Sequence, residues 1–481
     1  MKTRGSIKRI GCILLFLVLA LSGGVGTGFS ALVEENEAVA IADLWFAMEL
    51  NIGYLKINEA ERLERFNQLP NRRMFYLVSK DDLLDSPPDE GRVLAFVVKY
   101  EPSGFVVVSG EDRIQPVVVF DVRSEFRWDH PERNFLRHFL RKTMESRWEN
   151  LGIDVHPNWS YLRSRLQEGK GLHEVTFEPS DKQIFFLWET AHWDQAPFYN
   201  DTVIAHNGNT PGIPTGCTAT AMAIKMRFHE WPLTGNSSHG YNDTQGNIQF
   251  SHFVNFAAQT YNWANMPTTH LTGPNPDVAA LMYHCGVAVD MNYEVGGSGA
   301  WPTASSMNTY FRYKTSEDNE SGHYTPMIVS IRGGLPVVCS STAHTVVADG
   351  YRDSPYPYFH LNCGWHGDND GWYDLYTQFP GGDASIDYSC PYSCPQNYIY
   401  VEGDWSGSEN GSLQEPYNTV SEGESATPTG GHLWIEAGTY TGAGNVPITF
   451  DRAMMVRSYG GTATIGSSSL VTSSGKPLEI R

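Results

Sequence analysis

Positive charge is scarce in this chain: 34 Lys and Arg stand against 54 Asp and Glu, a formal net charge of −20. Such a surface repels polyanions, which argues against nucleic acid and anionic membrane as partners. Cysteine is scarce too, with 7 residues in 481. Cys12 lies in an N-terminal apolar run and is expected to leave with it, so Cys217, Cys285, Cys339, Cys363, Cys390 and Cys394 remain. If one of these stays free for chemistry, the other five cannot all pair, which excludes a disulfide scaffold. Cys390 and Cys394 have no neighbouring Cys or His couple. A local disulfide or two free thiols therefore fits them better than zinc. Long apolar runs are absent after the first thirty residues, so no later segment is expected to span a bilayer. Charged residues make up only 18% and aromatics reach 12%, the composition of globular rather than disordered material.

The N-terminus sets the compartment. Lys2, Arg4, Lys8 and Arg9 precede an apolar run from Ile10 to Leu21, and small residues follow through Ser30 and Ala31. A basic start, a short apolar centre and a small-residue exit make a secretory signal peptide over residues 1–30, cut after Ser30 or after Ser22. The mature protein is therefore expected to be secreted, extracellular or at the cell surface.

The length corresponds to roughly three folded units. Residues 31–175 read as α/β: a helix over Ala38–Leu50, strands at Met74–Val78, Val93–Tyr100, Phe105–Ser109 and Pro116–Asp121, then a helix with Phe135, Leu136, Phe139 and Leu140. Leu162–Lys182 is charged and weakly patterned and reads as an exposed linker, open to cleavage. Residues 176–402 place helices first, notably Cys217–His229 stopped by Pro232. Short strands follow at Leu335–Cys339, His344–Ala348, Tyr358–Asn362 and Trp372–Leu375, an α+β arrangement with a site between the layers. Residues 403–481 turn rich in Gly, Ser and Thr; the 22 positions from Trp434 to Val456 suit one coil of a parallel β-solenoid. A fibronectin-like or jelly-roll module is the competing reading.

The chemistry centres on Cys217, in Pro214-Thr215-Gly216-Cys217-Thr218-Ala219-Thr220-Ala221. A glycine-kinked turn puts this thiol in the first turn of a helix, where free N–H groups and the macrodipole favour an anion. Such a cysteine loses its proton well below the usual value of about 8.5. A histidine, His344, leads a distant strand, Thr342-Ala343-His344-Thr345-Val346-Val347. Cysteine at a helix start with histidine on a later strand is the order of papain-like cysteine proteases. His360, in a similar strand nearby, reads as structural. Asp368-Asn369-Asp370-Gly371 reads as a hairpin turn rather than a calcium loop, since no further ligand pattern follows.

These segments resemble the streptopain family of secreted cysteine proteases. The helix through Lys225-Met226-Arg227-Phe228-His229-Glu230-Trp231-Pro232 is similar to that family's nucleophile helix. Val347-Ala348-Asp349-Gly350-Tyr351 and Tyr358-Phe359-His360-Leu361-Asn362-Cys363-Gly364-Trp365 are similar to its histidine strand and the turn beyond. Trp193 to Asn200 resembles the opening of its mature domain, and Gly104 to Arg113 its inhibitory propeptide. The likeness runs from about Glu35 to Tyr400 in the family's order.

It implies a papain-like α+β protease domain at 176–402, preceded by an α/β inhibitory propeptide and linker at 31–175. A short β-helix-like accessory segment at 403–481, separable from catalysis, lies outside it. The implied roles are nucleophile for Cys217 and general base, then acid, for His344. Gln195 would donate to the oxyanion hole, Asn362 would orient the imidazole, and Trp365 would shield that hydrogen bond from water. Protein or peptide substrates and the chain's own propeptide are the implied partners, with no cofactor and no metal.

Two positions depart from the family pattern. Thr342-Ala343 stand where the family has Gly-Gly, and Cys363 stands where it has Trp. Cys363 is then either a buried filler or a redox partner for Cys339 or Cys217. The rival functional readings are a catalytically weak scaffold kept for surface binding or adhesion, and a transglutaminase or peptidoglycan amidase. Those enzymes normally carry Asp where Asn362 stands.

Overall fold

The computed structural model describes residues 32–480, except 53–57, 70, 79–82, 89–91, 130–134, 150, 152–153, 178–184, 246–247, 303, 315–318, 321–323, 342–343, 354–356, 376–385, 387, 467 and 471–477. The signal-peptide expectation and the Thr342-Ala343 departure lie outside the described residues.

The fold is α+β. Helix α1 (Glu35–Asn51) backs an antiparallel sheet of β1 (Arg72–Val78), β2 (Val93–Tyr100), β3 (Phe105–Ser109) and β4 (Val117–Asp121). These strands are rich in Val and Phe and mostly buried, as a sheet covered on both faces requires. Helix α2 (Phe135–Glu149) covers the other face, and α3 (Pro157–Gln167) packs beside α1.

Helix α3 revises the linker expectation. Its Trp159 and Leu162 are fully buried, and the Trp159 indole donates to the Ile114 carbonyl at 2.9 Å. Arg165 is buried on the same helix and Arg163 pairs with Glu37 and Asp112, so these charges belong to the packing and break the apolar pattern that would mark a helix. Asn51 also ties Val175 through its carbonyl at 2.7 Å. The exposed stretch therefore begins near Glu168, not Leu162.

The second unit carries helix α4 (Cys217–His229) and α5 (Pro276–Ala288) on one side. On the other it has α6 (Tyr324–Arg332) and the strands β5 (Val337–Ser340), β6 (Thr345–Arg352), β7 (Tyr358–Asn362) and β8 (Gly371–Tyr373). Strand β8 pairs with β4, setting Trp372 opposite Phe120 and Tyr373 opposite Val119. The two units thus share one sheet, twelve-stranded among the described residues. Two hydrophobic clusters also run across the seam: Leu94, Val107 and Phe139 pack with Phe359, Leu361 and Tyr373, and Trp45 and Phe120 with Tyr358 and Trp372.

A buried ion pair joins the same halves. Glu49 on α1 and Arg352 at the end of β6 are both fully buried and bind at 2.7 and 3.0 Å through two parallel hydrogen bonds. The guanidinium lies 4.8 Å from the Phe120 ring centre and 5.3 Å from those of Tyr358 and Trp372. A second pair, Arg147–Asp374 at 2.9 Å, repeats the arrangement at α2.

The C-terminal segment is built from parallel strands, β9 (Tyr398–Val401), β10 (Gly431–Tyr440) and β11 (Met454–Ile465). Leu433 faces Val456, a spacing of 456 − 433 = 23 positions, one more than the sequence reading used. The sheet begins before Gly403, because β9 is its first parallel strand. It also shares a core with the second unit. Trp434 packs with Leu335, Tyr400 and Leu413, and its ring sits edge-on to Trp188 at 6.3 Å. Gly334 has φ +78 and its site is closed by this ring, since a Cβ would lie 2.5 Å from Trp434.

Two outcomes are expected. Glu49→Ala strands the Arg352 charge in an apolar setting, which costs about 3–5 kcal/mol. Urea unfolding of the full chain should show that loss, and Glu49→Leu combined with Arg352→Met should recover much of it. Truncation at Glu402 uncovers Leu335, Tyr400 and Trp188, and should lower the melting temperature of the remaining chain.

Candidate active site

Helix α4 starts at Cys217 because Gly216, its N-cap, turns the chain with φ +87. A side chain at Gly216 would strike Met291 Sδ at 2.7 Å, so the close approach of the 291–300 loop also requires glycine. No side chain caps this helix end, which leaves its first-turn N–H groups to face the thiol.

Strand β6 brings His344 against Cys217. Burial alone would raise the half-buried thiol. The charge and hydrogen bond of His344, with hydrogen bonds from the Thr345 backbone and side chain, outweigh it and hold the thiol at about 6. The His344 ring is buried and its Nε2 lies 2.9 Å from the Cys363 carbonyl oxygen. A carbonyl only accepts, so Nε2 carries a proton and Nδ1 is the nitrogen left for the sulfur. Trp365 covers the imidazole, with ring centres 4.3 Å apart and planes at 36°.

The group that orients the imidazole is therefore a main-chain carbonyl, and Asn362 is engaged elsewhere. Its Nδ2 donates to Thr190 Oγ1 at 2.9 Å and to the Ala191 carbonyl at 3.0 Å, while its Oδ1 accepts from Gly364 N–H at 3.0 Å. Asn362 thereby ties the segment leading to Gln195 to the turn after β7. Gln195 sits beside the nucleophile turn, its carbonyl accepting from Thr215 N–H at 3.1 Å.

Asp370 holds residue 363 in place. Its Oδ1 accepts from Cys363 N–H at 2.7 Å, and its Oδ2 lies 3.3 Å from His192 Nδ1. Asp368 pairs with Arg127 at 3.1 Å. Both carboxylates are thus used in building the β7–β8 turn and its contacts. The Cys363 sulfur points into the core, 3.4 Å from the Asn369 carbonyl and 3.7 Å from the Tyr373 hydroxyl, and burial raises its thiol. All six described cysteines are free, so the geometry matches the filler reading of Cys363. His360 is buried between Asp349, at 2.6 Å, and Asp121, at 3.9 Å, away from the thiol.

The Cys363 carbonyl and Asp370 went unread in the sequence. A carbonyl has no residue signature, and Asp370 looked like one of several turn carboxylates.

A thiol with a lowered pKa beside a buried, oriented imidazole on an α+β frame is the arrangement that a cysteine protease requires. Comparison with known proteins agrees: residues 193–373 match the model of the Peptidase C10 family. Over that stretch the chain is similar to the Peptidase C10 family. It is similar to thiol protease/hemagglutinin PrtT of Porphyromonas gingivalis, 25% identical over 346 residues, which cover 66% of this chain and 38% of that protein. It is also similar to streptopain of Streptococcus pyogenes, 25% identical over 310 residues, 58% of this chain and 73% of that one. Among solved structures, a fragment of Prevotella intermedia prointerpain A is 22% identical, covering 63% of this chain and 95% of that one, with a TM-score of 0.45. Active wild-type interpain A is 27% identical, covering 45% and 97%, with a TM-score of 0.35.

The lowered thiol gives a direct expectation. Alkylation of Cys217 by iodoacetamide should rise with pH through a midpoint near 6, the value at which His344 and Thr345 hold the anion. In His344→Ala burial remains while the largest opposing charge is gone. The midpoint should then move upward, past the ordinary thiol value of about 8.5.

Proposed function

We propose that the protein is a secreted cysteine endopeptidase, made as a latent zymogen, that hydrolyses peptide bonds in proteins. The observation that carries this reading is the Cys217–His344 pair with its depressed thiol. The thiolate attacks the scissile carbonyl carbon, forming a C–S bond and an oxyanion. The Cys217 N–H and the Gln195 side-chain amide are the proposed donors to that oxyanion; each such donor is worth roughly 3–4 kcal/mol. His344 Nδ1–H then protonates the leaving amine. The same nitrogen draws a proton from the water that releases the acyl group. Trp365 keeps bulk water from the Nε2–carbonyl bond, and Asn362 positions Gln195 through residues 190 and 191.

Latency rests on how residues 32–177 sit on the protease unit. Beyond the shared sheet, the chain after β4 lies along the turn that carries Trp365. Arg127 N–H donates to Asn369 Oδ1 at 2.7 Å, Asn369 Nδ2 donates to the Arg127 carbonyl at 2.9 Å, and Asn369 N–H donates to the Glu125 carbonyl at 2.9 Å. A chain held there flanks the His344 wall of the cleft. Cutting between Glu168 and Ile184 would free the N-terminal region covalently while these contacts still hold it, so inhibition in trans follows.

Unfolded casein with reductant tests the activity. Cys217→Ala and His344→Ala should each lower cleavage by roughly 10⁴-fold or more, because nucleophile and base act as a unit. Both proteins should still fold. Full cleavage by Cys217→Ala would end this assignment. Uncut chain as active as the processed form would end the latency reading.

A further inference from the structure

Asp194, one residue before Gln195, makes two hydrogen bonds that the mechanism above does not use. Its Oδ1 accepts from the Gln195 N–H at 2.6 Å. Its Oδ2 lies 2.6 Å from His366 Nδ1. A carboxylate only accepts, so that nitrogen carries the proton and donates. His366 follows Trp365, the ring that covers His344. Its own N–H donates to the Trp193 carbonyl at 3.3 Å, so main chain and side chain together join His366 to residues 193 and 194. On the far side the Gln195 carbonyl accepts from Thr215 N–H at 3.1 Å, two residues ahead of Cys217. The Gln195 backbone is therefore held at both of its polar groups. One row of hydrogen bonds crosses from the imidazole wall to the nucleophile turn.

His366 has the left-handed φ of +61, in a turn that also holds Gly364 and Gly367 at positive φ. That conformation favours glycine, and a residue with a Cβ stands there at a conformational cost. The imidazole at this position is what reaches Asp194. Its ring is flanked by that of His270, with centres 4.8 Å apart. Asn362 and His192 also tie the two segments, but they act at residues 190 to 192, while the Asp194–His366 contact adjoins Gln195 itself. We propose that His366 and Asp194 are positioning residues for the oxyanion hole. The pair clamps the Gln195 peptide to the turn that carries Trp365, so that the donor amide is in place before the oxyanion forms.

This inference rests on the reading of Gln195 as an oxyanion donor and adds the residues that hold it. Hydrogen exchange of the full-length chain, followed by mass spectrometry over the peptide containing Gln195, reads the clamp without requiring activity. His366→Gly suits the backbone of the turn and removes only the imidazole. It should speed exchange of the Gln195 N–H roughly tenfold. Casein cleavage with reductant reads the consequence. His366→Gly should lower kcat by roughly 10- to 100-fold with KM unchanged, the scale of loss for a group misplaced by about 1 Å. In His366→Asn the amide nitrogen can take the place of Nδ1 and the residue tolerates positive φ, so most of both effects should be reversed. In a Gln195→Ala background, His366→Gly should cost nothing further. Alkylation of Cys217 by iodoacetamide builds no oxyanion, so its pH midpoint in His366→Gly should match the parent's.

Parental exchange or parental kcat in His366→Gly overturns the clamp. So does a loss that adds in full to that of Gln195→Ala, or one that comes with a shifted alkylation midpoint, since the pair would then act through another group. If His366→Gly does not fold, Asp194→Ala, which removes the acceptor instead, decides by the same readouts. Gln195→Ala that cleaves casein as the parent does ends the oxyanion assignment of Gln195 and the clamp's catalytic role with it. A parent chain that leaves casein intact refutes the endopeptidase reading, and the exchange result alone then decides the clamp.

Discussion

The Glu49–Arg352 pair is the interaction on which the arrangement of the two units depends. Arg352 ends the strand that begins beside His344, and its charge has no water to solvate it. Only a carboxylate at hydrogen-bonding distance makes such burial tolerable, and the carboxylate comes from the first helix of the N-terminal region. Aromatic rings close around the guanidinium and contribute the attraction of their faces. The N-terminal region is thereby held to the back of the strand whose front end presents the base.

The site itself is assembled mainly by the backbone. A glycine turn frees the helix start, the Cys363 carbonyl fixes the imidazole tautomer, and Asp370 fixes residue 363 through its N–H. Asn362 acts one step further out, joining two segments of chain instead of touching the base. This division explains how cysteine can replace a larger residue at position 363 without losing the carbonyl that matters: the peptide group is common to every residue type.

Much of the fold was legible in the sequence. The valine-rich runs at 93–100, 105–109 and 117–121 are strands, and Cys217–His229 is a helix with the bounds its glycine and proline suggest. Cys217 and His344 stood out because a thiol at a helix start and a histidine leading a strand carry a local signal. Three features did not. Helix α3 hid because its buried face carries Arg165 beside Trp159 and Leu162, which interrupts the apolar pattern. The role of Asn362 could not be separated from that of its neighbour's carbonyl. The seam between β4 and β8 joins residues about 250 positions apart through ladder hydrogen bonds, which any pair of strands can form.

That seam has an evolutionary side. Ladder bonds do not register side-chain identity, so the pairing of β4 with β8 does not itself depend on which side chains the two strands carry. Side-chain recognition between the halves comes from the apolar clusters that cross the seam and from polar contacts that include Glu49 with Arg352, Arg147 with Asp374, and Asn369 with the chain at Arg127. Whether an N-terminal region from one such chain fits the protease unit of another is then decided by these side chains and not by the ladder. Changes in these side chains would alter the fit of the halves while leaving the ladder bonds of the shared sheet in place.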